Sequence, residues 1–283
     1  MKRFETGAMA ALAIGVLMLV GCEDAPIHID PLAVNGRDGG GAPITYNALM
    51  RIGAAAHAGG ELQNAIAIYR RAAALNTSNP APLVAAGNVL LELGQVNEAV
   101  VTYNSALERQ RRDPEALRGL ARAYLRTGRP ELAGPTLALA YEDTPDDPKL
   151  VQLIGVTDDF LGQHREAQSR YRRGLELRPG DQALTLNLAL SLSLTGDFPE
   201  AVALLQPIAA SPAGTVRERQ TLALIYGLQG NRAAAEQMAR RDLDPASVAH
   251  NLSYYETLRR LSPEARSKAV LAASAAAGPR PGS

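Results

Sequence analysis

Six glycines recur at a constant spacing of 34 residues through most of this chain, which is 283 residues long. An alanine follows each of these glycines five residues later. A fixed period of this length is the sequence signature of a repeat array, in which every unit packs on its neighbours instead of around one central core. The glycines are Gly60, Gly94, Gly128, Gly162, Gly196 and Gly230. The unbroken register predicts six units between residues 45 and 249, at 46–79, 80–113, 114–147, 148–181, 182–215 and 216–249.

Each unit has the pattern of two helices joined by a tight turn. The first helix of every unit is preceded by a side chain that can accept a hydrogen bond from the free backbone N–H groups of a helix start. These residues are Thr45, Asn79, Asp113, Asp147, Asp181 and Thr215. The periodic glycine ends the first helix, because the turn between the helices favours a left-handed backbone that glycine adopts without strain.

The composition agrees with closely packed helices. Hydrophobic residues make up 46% of the chain, only 4% of residues are aromatic and there is no Trp, so the core is built from Leu, Ala, Val and Ile. The 29 basic and 29 acidic residues cancel, whereas a nucleic-acid-binding protein normally has a basic excess. Nucleic acid is therefore not an expected partner.

The 34-residue helix–turn–helix unit resembles the tetratricopeptide repeat, and the resemblance covers all six units. It implies an all-α fold, a right-handed α-solenoid, in which the first helices line a concave groove for a peptide or a partner's helix. Asp158 stands where that family has an apolar residue or tyrosine, and its role stays open. Two further helix-start signals, Asp244-Pro245 and Ser262-Pro263, predict a C-terminal helical cap over 250–275. A disordered tail is expected over 276–283.

The N-terminal residues resemble a bacterial lipoprotein export signal. Lys2 and Arg3 precede an unbroken run of small or apolar residues, and the run leads to Leu19-Val20-Gly21-Cys22. This resembles the lipobox, in which the cysteine is lipidated and becomes the new N-terminus. Cys22 is also the only cysteine of the chain. We expect a signal peptide over 1–21; the alternatives are a signal peptide with an incidental cysteine and a short membrane anchor.

Residues 22–44 are rich in glycine and proline and predict a flexible, lipidated tether. A random coil of about 22 residues reaches roughly 25 Å. Glu23 and Asp24 follow the cysteine, and their position favours the periplasmic face of the outer membrane, although retention at the inner membrane stays possible.

The sequence contains no recognisable reaction centre. None of the four histidines is spaced with a second ligand as a metal-binding helix requires, and no nucleophile, phosphate-binding or dinucleotide-binding motif occurs. Asp158 and Asp159 form an acidic pair without an evident base, and His164 has the place of a solvated turn residue. We therefore expect no metal, no cofactor and no enzymatic activity.

The expected binding surface is the face of the first helices that lies away from their packing stripe. Arg118, Arg122 and Arg126 are spaced by four residues and predict one basic stripe on a helix. The alternative is an ordinary solvated helical face. The full set of predicted groove residues is Asn88, Glu92, Arg118, Arg122, Arg126 and Asn187.

A narrower resemblance concerns four segments of the second half, which lie at 187–197, 219–230, 239–244 and 251–255. They resemble the TadD family, the tetratricopeptide lipoproteins of tight-adherence (Flp) pilus assembly. The resemblance implies a pilotin-like scaffold that assists the localisation or assembly of the outer-membrane secretin, or that binds other pilus assembly proteins. Two alternatives are another envelope-assembly lipoprotein, such as a type IV pilus pilotin or an outer-membrane protein assembly factor, and a scaffold for a cell-wall hydrolase.

Overall fold

The computed structural model describes residues 44–276 and contains fourteen α-helices in that range. Twelve of them form six antiparallel pairs, and two more follow at the C-terminal end. The pairs are α1 (Tyr46–Ala58) with α2 (Leu62–Leu75), α3 (Ala81–Glu92) with α4 (Val96–Arg109), α5 (Pro114–Arg126) with α6 (Pro130–Asp143), α7 (Pro148–Phe160) with α8 (His164–Leu177), α9 (Gln182–Thr195) with α10 (Phe198–Ala210), and α11 (Val216–Gln229) with α12 (Arg232–Ala239). The last two are α13 (Pro245–Arg260) and α14 (Pro263–Ala276).

Several expectations concern residues outside this range. The signal peptide over 1–21, the lipidated Cys22, all of the tether over 22–44 except its last residue, and the tail beyond residue 276 lie outside the described residues.

The helices begin and end for the reasons that the sequence indicates. Asp113, Asp181 and Thr215 each accept a hydrogen bond from a backbone N–H in the first turn of their helix, and Thr215 forms a reciprocal capping box with Glu218. Asn79 is displaced by one position, because α3 begins one residue later and the Asn79 side chain accepts from the N–H of Ala81. All six periodic glycines have positive φ angles, between 68° and 90°, which confirms the predicted left-handed turns.

The core of the array consists of small residues and tyrosines. The alanine that follows each turn glycine by five residues is fully buried in all six pairs. Tyr103 of α4 is also fully buried, and its ring lies between Gly87 of α3 and Gly119 of α5. Because glycine carries no side chain, the ring can fill the space between three helices, and this contact joins the second pair to the third.

Neighbouring first helices contact one another along the array, as α3 does with α5, α5 with α7, α7 with α9 and α9 with α11. The second helices have no such contacts of comparable extent with one another in the described part of the chain. The first helices therefore lie on the inner, shorter side of the curved stack. We call the surface made by α3, α5, α7, α9 and α11 the first-helix face.

The C-terminal end differs in detail from a simple closing pair. α13 packs on α11 and α12 and covers the apolar end of the sixth pair, as a cap must. α14 does not stack beyond α13 as the second helix of a seventh pair would. It turns back and contacts α5, α7 and α9, which places it on the first-helix face.

Candidate protein-binding face

The six predicted groove residues lie on three first helices. Asn88 and Glu92 are in α3, the three arginines are in α5 and Asn187 is in α9. Their surroundings differ, and three kinds of environment can be separated.

Arg118 is engaged within the array. Its side chain is only 13% exposed and forms ion pairs with Asp147 and Glu115. Asp147 is at the same time the N-cap of α7, where it accepts from the N–H of Lys149. The positive charge of Arg118 is thus neutralised by two carboxylates, and its role is to join the third pair to the fourth.

Arg122 and Arg126 form the accessible part of the basic stripe. Both are exposed. Arg122 donates to the side-chain oxygen of Asn88 (2.9 Å), and Arg126 donates to the backbone carbonyl of Leu91 at the end of α3. The side-chain oxygen of Asn88 also accepts from the buried hydroxyl of Tyr103 (2.8 Å). Asn88 therefore supports Arg122, and the two arginine cations stay available to an anionic group.

Glu92 and Asn187 lie in different surroundings. Glu92 is 2.6 Å from Nε2 of His57, which belongs to the last turn of α1, so that this pair joins the first two repeats. Asn187 is partly buried on α9 and has no hydrogen-bond partner among the residues that the structure describes. Its amide is free to bond a ligand.

Towards the C-terminal repeats the first-helix face becomes apolar, and α14 covers it there. Leu190 and Leu194 of α9 and Leu228 of α11 are buried in one cluster with Val270 and Leu271 of α14. Leu258 of α13 completes this cluster. Large apolar side chains on this face are thus shielded from water by the chain's own last helix.

A buried polar network lies beside this cluster and is centred on Asp159 of α7. Its Oδ2 accepts from the hydroxyl of Tyr171 (2.8 Å), and its Oδ1 accepts from Ser191 (2.7 Å). Burial, together with the charge of Asp159, raises the pKa of Tyr171 well above its ordinary value, so the hydroxyl keeps the proton that it donates. Oδ1 also lies 2.7 Å from Nδ1 of His164. Each of these three neighbours donates a hydrogen bond to the carboxylate, and a buried carboxylate requires such donors.

His164 connects this network to α14. Its Nε2 is 2.9 Å from the hydroxyl of Ser267, which is only 6% exposed. A carboxylate oxygen accepts hydrogen bonds, so Nδ1 donates to Asp159, and Nε2 forms its hydrogen bond with the hydroxyl of Ser267. The expectation of a solvated turn residue at His164 was wrong, because this contact between residues 103 positions apart encloses the ring.

The order Asp159–His164–Ser267 is that of an acid–imidazole–hydroxyl triad of a hydrolase. A nucleophilic serine also needs open space for a substrate carbonyl and donors for the developing oxyanion. Ser267 is instead enclosed at the contact of α14 with the array. The arrangement in this structure is suited to holding a helix.

Asp158 stands where an apolar residue or tyrosine was expected, and its contacts account for an acidic residue there only in part. Its side chain is 16% exposed and lies 3.9 Å from Nε of Arg170. Burial raises the pKa of Asp158 to about 6, while Arg170 acts in the opposite direction. The buried charge of this carboxylate therefore lowers the stability of the fold at neutral pH.

Residues 44–276 contain no cluster of three or more His, Cys, Asp or Glu side chains that could hold a metal ion. Within the same range, none of the helices is both long and apolar enough to cross a membrane.

Comparison with known proteins shows the family to which the chain belongs. Sequence models of the tetratricopeptide repeat match residues 33–80 and 84–148, then 161–223, then 221–241, and together these matches cover more than half of the chain. The chain belongs to the tetratricopeptide repeat family. Over 121 residues, 42% of this chain, it is 31% identical to anaphase-promoting complex subunit 7 of Arabidopsis thaliana, of which it covers 22%. The chain spans about a fifth or less of the length of the curated relatives it matches.

Two solved tetratricopeptide structures have a similar fold. PilW, a widely conserved type IV pilus biogenesis factor, is 17% identical, and the match covers 68% of this chain and 90% of PilW with a TM-score of 0.63. PilF of Pseudomonas aeruginosa is 18% identical, and the match covers 81% of this chain and 97% of PilF with a TM-score of 0.57. At these identities the likeness concerns the fold.

Tetratricopeptide arrays are scaffolds that bind other proteins on their extended concave surface. In this chain the corresponding surface is the first-helix face. It has an accessible basic part on α5, next to α3, and an apolar part on α9 and α11 that α14 covers.

Proposed function

We propose that this chain is a membrane-anchored tetratricopeptide scaffold of pilus biogenesis that holds a partner protein on its first-helix face. The observation that carries the proposal is the exposure of Arg122 and Arg126 on the inner surface, where Asn88, itself bonded to the buried Tyr103, holds the side chain of Arg122. A side chain whose neighbours are fixed loses little freedom on binding, so such a surface favours recognition of a preformed segment.

The anchor in this proposal is the lipid on Cys22. Each buried CH₂ of an acyl chain contributes about 0.8 kcal/mol, so that two or three chains hold a protein at a membrane almost permanently. The predicted tether over 22–44 then confines the array within roughly 25 Å of the lipid surface. Confinement raises the effective concentration of a membrane-bound partner, and a modest affinity of the face suffices. We place the protein at the periplasmic face of the outer membrane.

The partner in this proposal is the outer-membrane secretin of a tight-adherence (Flp) pilus, or another assembly protein of that system, and the chain has the pilotin-like role of TadD. Support comes from the TadD-like segments at 187–197, 219–230, 239–244 and 251–255. The role requires no catalysis, and we propose that the protein is not an enzyme.

The test replaces the anchor and leaves the array intact. In a pilus-forming host, Cys22→Ser with export preserved should reduce secretin multimers in outer-membrane fractions and reduce piliation. Gly36→Ser, a serine placed in the tether outside the lipobox, is the matched control and should change neither quantity. Normal multimers with Cys22→Ser would refute the anchoring part of the proposal.

A second candidate is a type IV pilus assembly factor, which the similar folds of PilW and PilF favour. Purification of the tagged, anchored protein from crosslinked cells separates the two. Recovery of a tight-adherence secretin supports the first candidate, and recovery of type IV pilus components supports the second.

A further inference from the structure

The apolar part of the first-helix face already holds a helix, and this helix is α14 of the same chain. α14 contacts α9, α7 and α5, three of the helices that make this face. Its contacts with these helices lie on the first-helix face, where the proposed partner would bind. α14 therefore occupies the position of a ligand within its own chain.

The chemistry of this internal ligand can be described by three side chains on one face of α14. Val270 and Leu271 are buried against Leu190 and Leu194, and Ser267 lies one turn earlier, where it meets Nε2 of His164. The spacing of three and four residues places these three side chains on the same side of a helix. The face thus selects a hydroxyl group followed one turn later by two adjacent apolar side chains.

α14 buries fewer large apolar side chains than the helix before it. α13 buries four large apolar side chains, which belong to Val248, Leu252, Tyr255 and Leu258. On α14 only Val270 and Leu271 are large and buried, while its opposite side, with Glu264, Lys268 and Ala272, is exposed.

The connection to α13 permits movement of α14 as a unit. Leu261 has an extended backbone, and only Leu261 and Ser262 separate the two helices. Arg266 donates to the backbone carbonyls of Leu258, Arg259 and Leu261, so that it holds the first turn of α14 to the end of α13. A rotation at Leu261 that breaks these hydrogen bonds would carry the rest of α14 off the face.

We propose that α14 is an exchangeable occupant, and that the partner is an amphipathic helix which displaces α14 by presenting the same hydroxyl and apolar side chains. This inference rests on the binding role proposed above and adds the kind of segment that is bound. The partner helix also carries carboxylates, because α14 contacts α5, and the exposed Arg122 and Arg126 of α5 attract negative charge. Leu190, Leu194 and Leu228 remain covered by α14 until the partner arrives.

The test uses the full chain and a fluorescein-labelled peptide with the sequence of residues 261–276. Val270→Asp with Leu271→Asp should release α14 and leave the face open. Ala272→Asp with Ala273→Asp adds the same two charges on the exposed side of α14 and is the matched control. By fluorescence anisotropy, the released variant should bind the peptide at least tenfold more tightly than the unmodified chain or the control. Tenfold corresponds to a face that is open in about one molecule in ten or fewer.

Two further measurements concern the charge of the peptide and the oligomeric state of the chain. The peptide extended by two glutamates should bind the released variant about threefold more tightly at low salt, and Arg122→Ala should remove that gain. Equal peptide affinity of the released variant and the unmodified chain would overturn the proposal. So would a dimer that forms through exchange of α14 between two copies, measured by analytical ultracentrifugation of the unmodified chain.

Hydrogen exchange tests the same proposal on the unmodified chain, where unfolding caused by the two aspartates cannot occur. In hydrogen exchange of the unmodified chain, amides in the middle of α14 should exchange at least tenfold faster than those in the middle of α13. Equal protection of the two helices would mean that α14 is a fixed part of the fold. Because neither measurement uses a pilus protein, failure of this inference would be distinct from failure of the pilus role.

Discussion

The substitution Gly87→Ala tests whether the tyrosine contacts set the distance between neighbouring helices. A Cβ atom added at Gly87 would lie 2.7 Å from Cε1 and 2.8 Å from Cζ of Tyr103, closer than carbon atoms approach in folded proteins. The ring cannot move away easily, because Gly119 of the next repeat closes on it from the other side. Movement would also disturb the hydrogen bond from the Tyr103 hydroxyl to Asn88.

Two opposing effects decide the result of Gly87→Ala. Alanine favours the helix over glycine by about 1 kcal/mol in a helix interior. Overpacking of a dense core costs about 1–3 kcal/mol, and a weakened hydrogen bond of the buried hydroxyl adds about 1 kcal/mol. The second group of effects is larger, so we expect Gly87→Ala to lower the free energy of unfolding by about 1–3 kcal/mol.

Urea unfolding, followed by far-UV circular dichroism, measures this change. The decisive comparison is a double-mutant cycle in which Tyr103→Ala removes the ring. In that background Gly87→Ala should raise stability by about 0.5–1 kcal/mol, because only the helix preference remains. If Gly87→Ala stabilised the unmodified chain as well, the close tyrosine–glycine packing would not be what fixes the spacing of the helices.

Three further predictions concern single side chains. Arg118→Glu should lower the free energy of unfolding by about 2 kcal/mol, because Asp147 and Glu115 lose their enclosed cationic partner. Arg122→Glu, on the exposed part of the same stripe, should change the free energy of unfolding by less than about 0.5 kcal/mol. Thermal unfolding measures both changes. Asp158→Asn should stabilise the chain by about 2 kcal/mol at pH 7.5, because burial raises the pKa of Asp158 to about 6 and the ionised form is unfavourable in the fold. Protonation of Asp158 restores stability of the unmodified chain as the pH falls through 6. In urea titrations at a series of pH values, the advantage of Asn should therefore vanish below about pH 4. Ser267→Ala should speed hydrogen exchange in α14 about fivefold, since a hydrogen bond contributes about 1 kcal/mol; unchanged exchange would show that this contact does not hold the helix.

The repeat geometry could be predicted from the sequence because it depends on local chemistry. A left-handed turn needs glycine, a helix start needs a side-chain acceptor, and both needs recur at every repeat. The left-handed backbone at Gly60 and the five other turn glycines, and the capping role of Asp113, follow from neighbouring residues alone. Asn79 lies one residue before the N-cap of its helix, because α3 begins at Ala81.

The parts that could not be predicted depend on contacts between distant residues. The hydrogen bond between His164 and Ser267 joins positions 103 residues apart, and no period of 34 residues reports it. The same holds for the return of α14 to the first-helix face, which the small apolar surface of Val270 and Leu271 directs. Arg118 shared the spacing of Arg122, but only the position of Asp147 in the next repeat decides that it is neutralised.

Site-specific photo-crosslinking in pilus-forming cells tests most directly whether the first-helix face is the binding surface. A photoreactive amino acid is placed at Arg122 on that face and, for comparison, at Val101, which is 65% exposed on the second helix α4. Crosslinks from position 122 to a pilus assembly protein, with none from position 101, are the expected result. Crosslinks to that protein from position 101 alone would contradict the account, because the partner would then bind the outer side of the array.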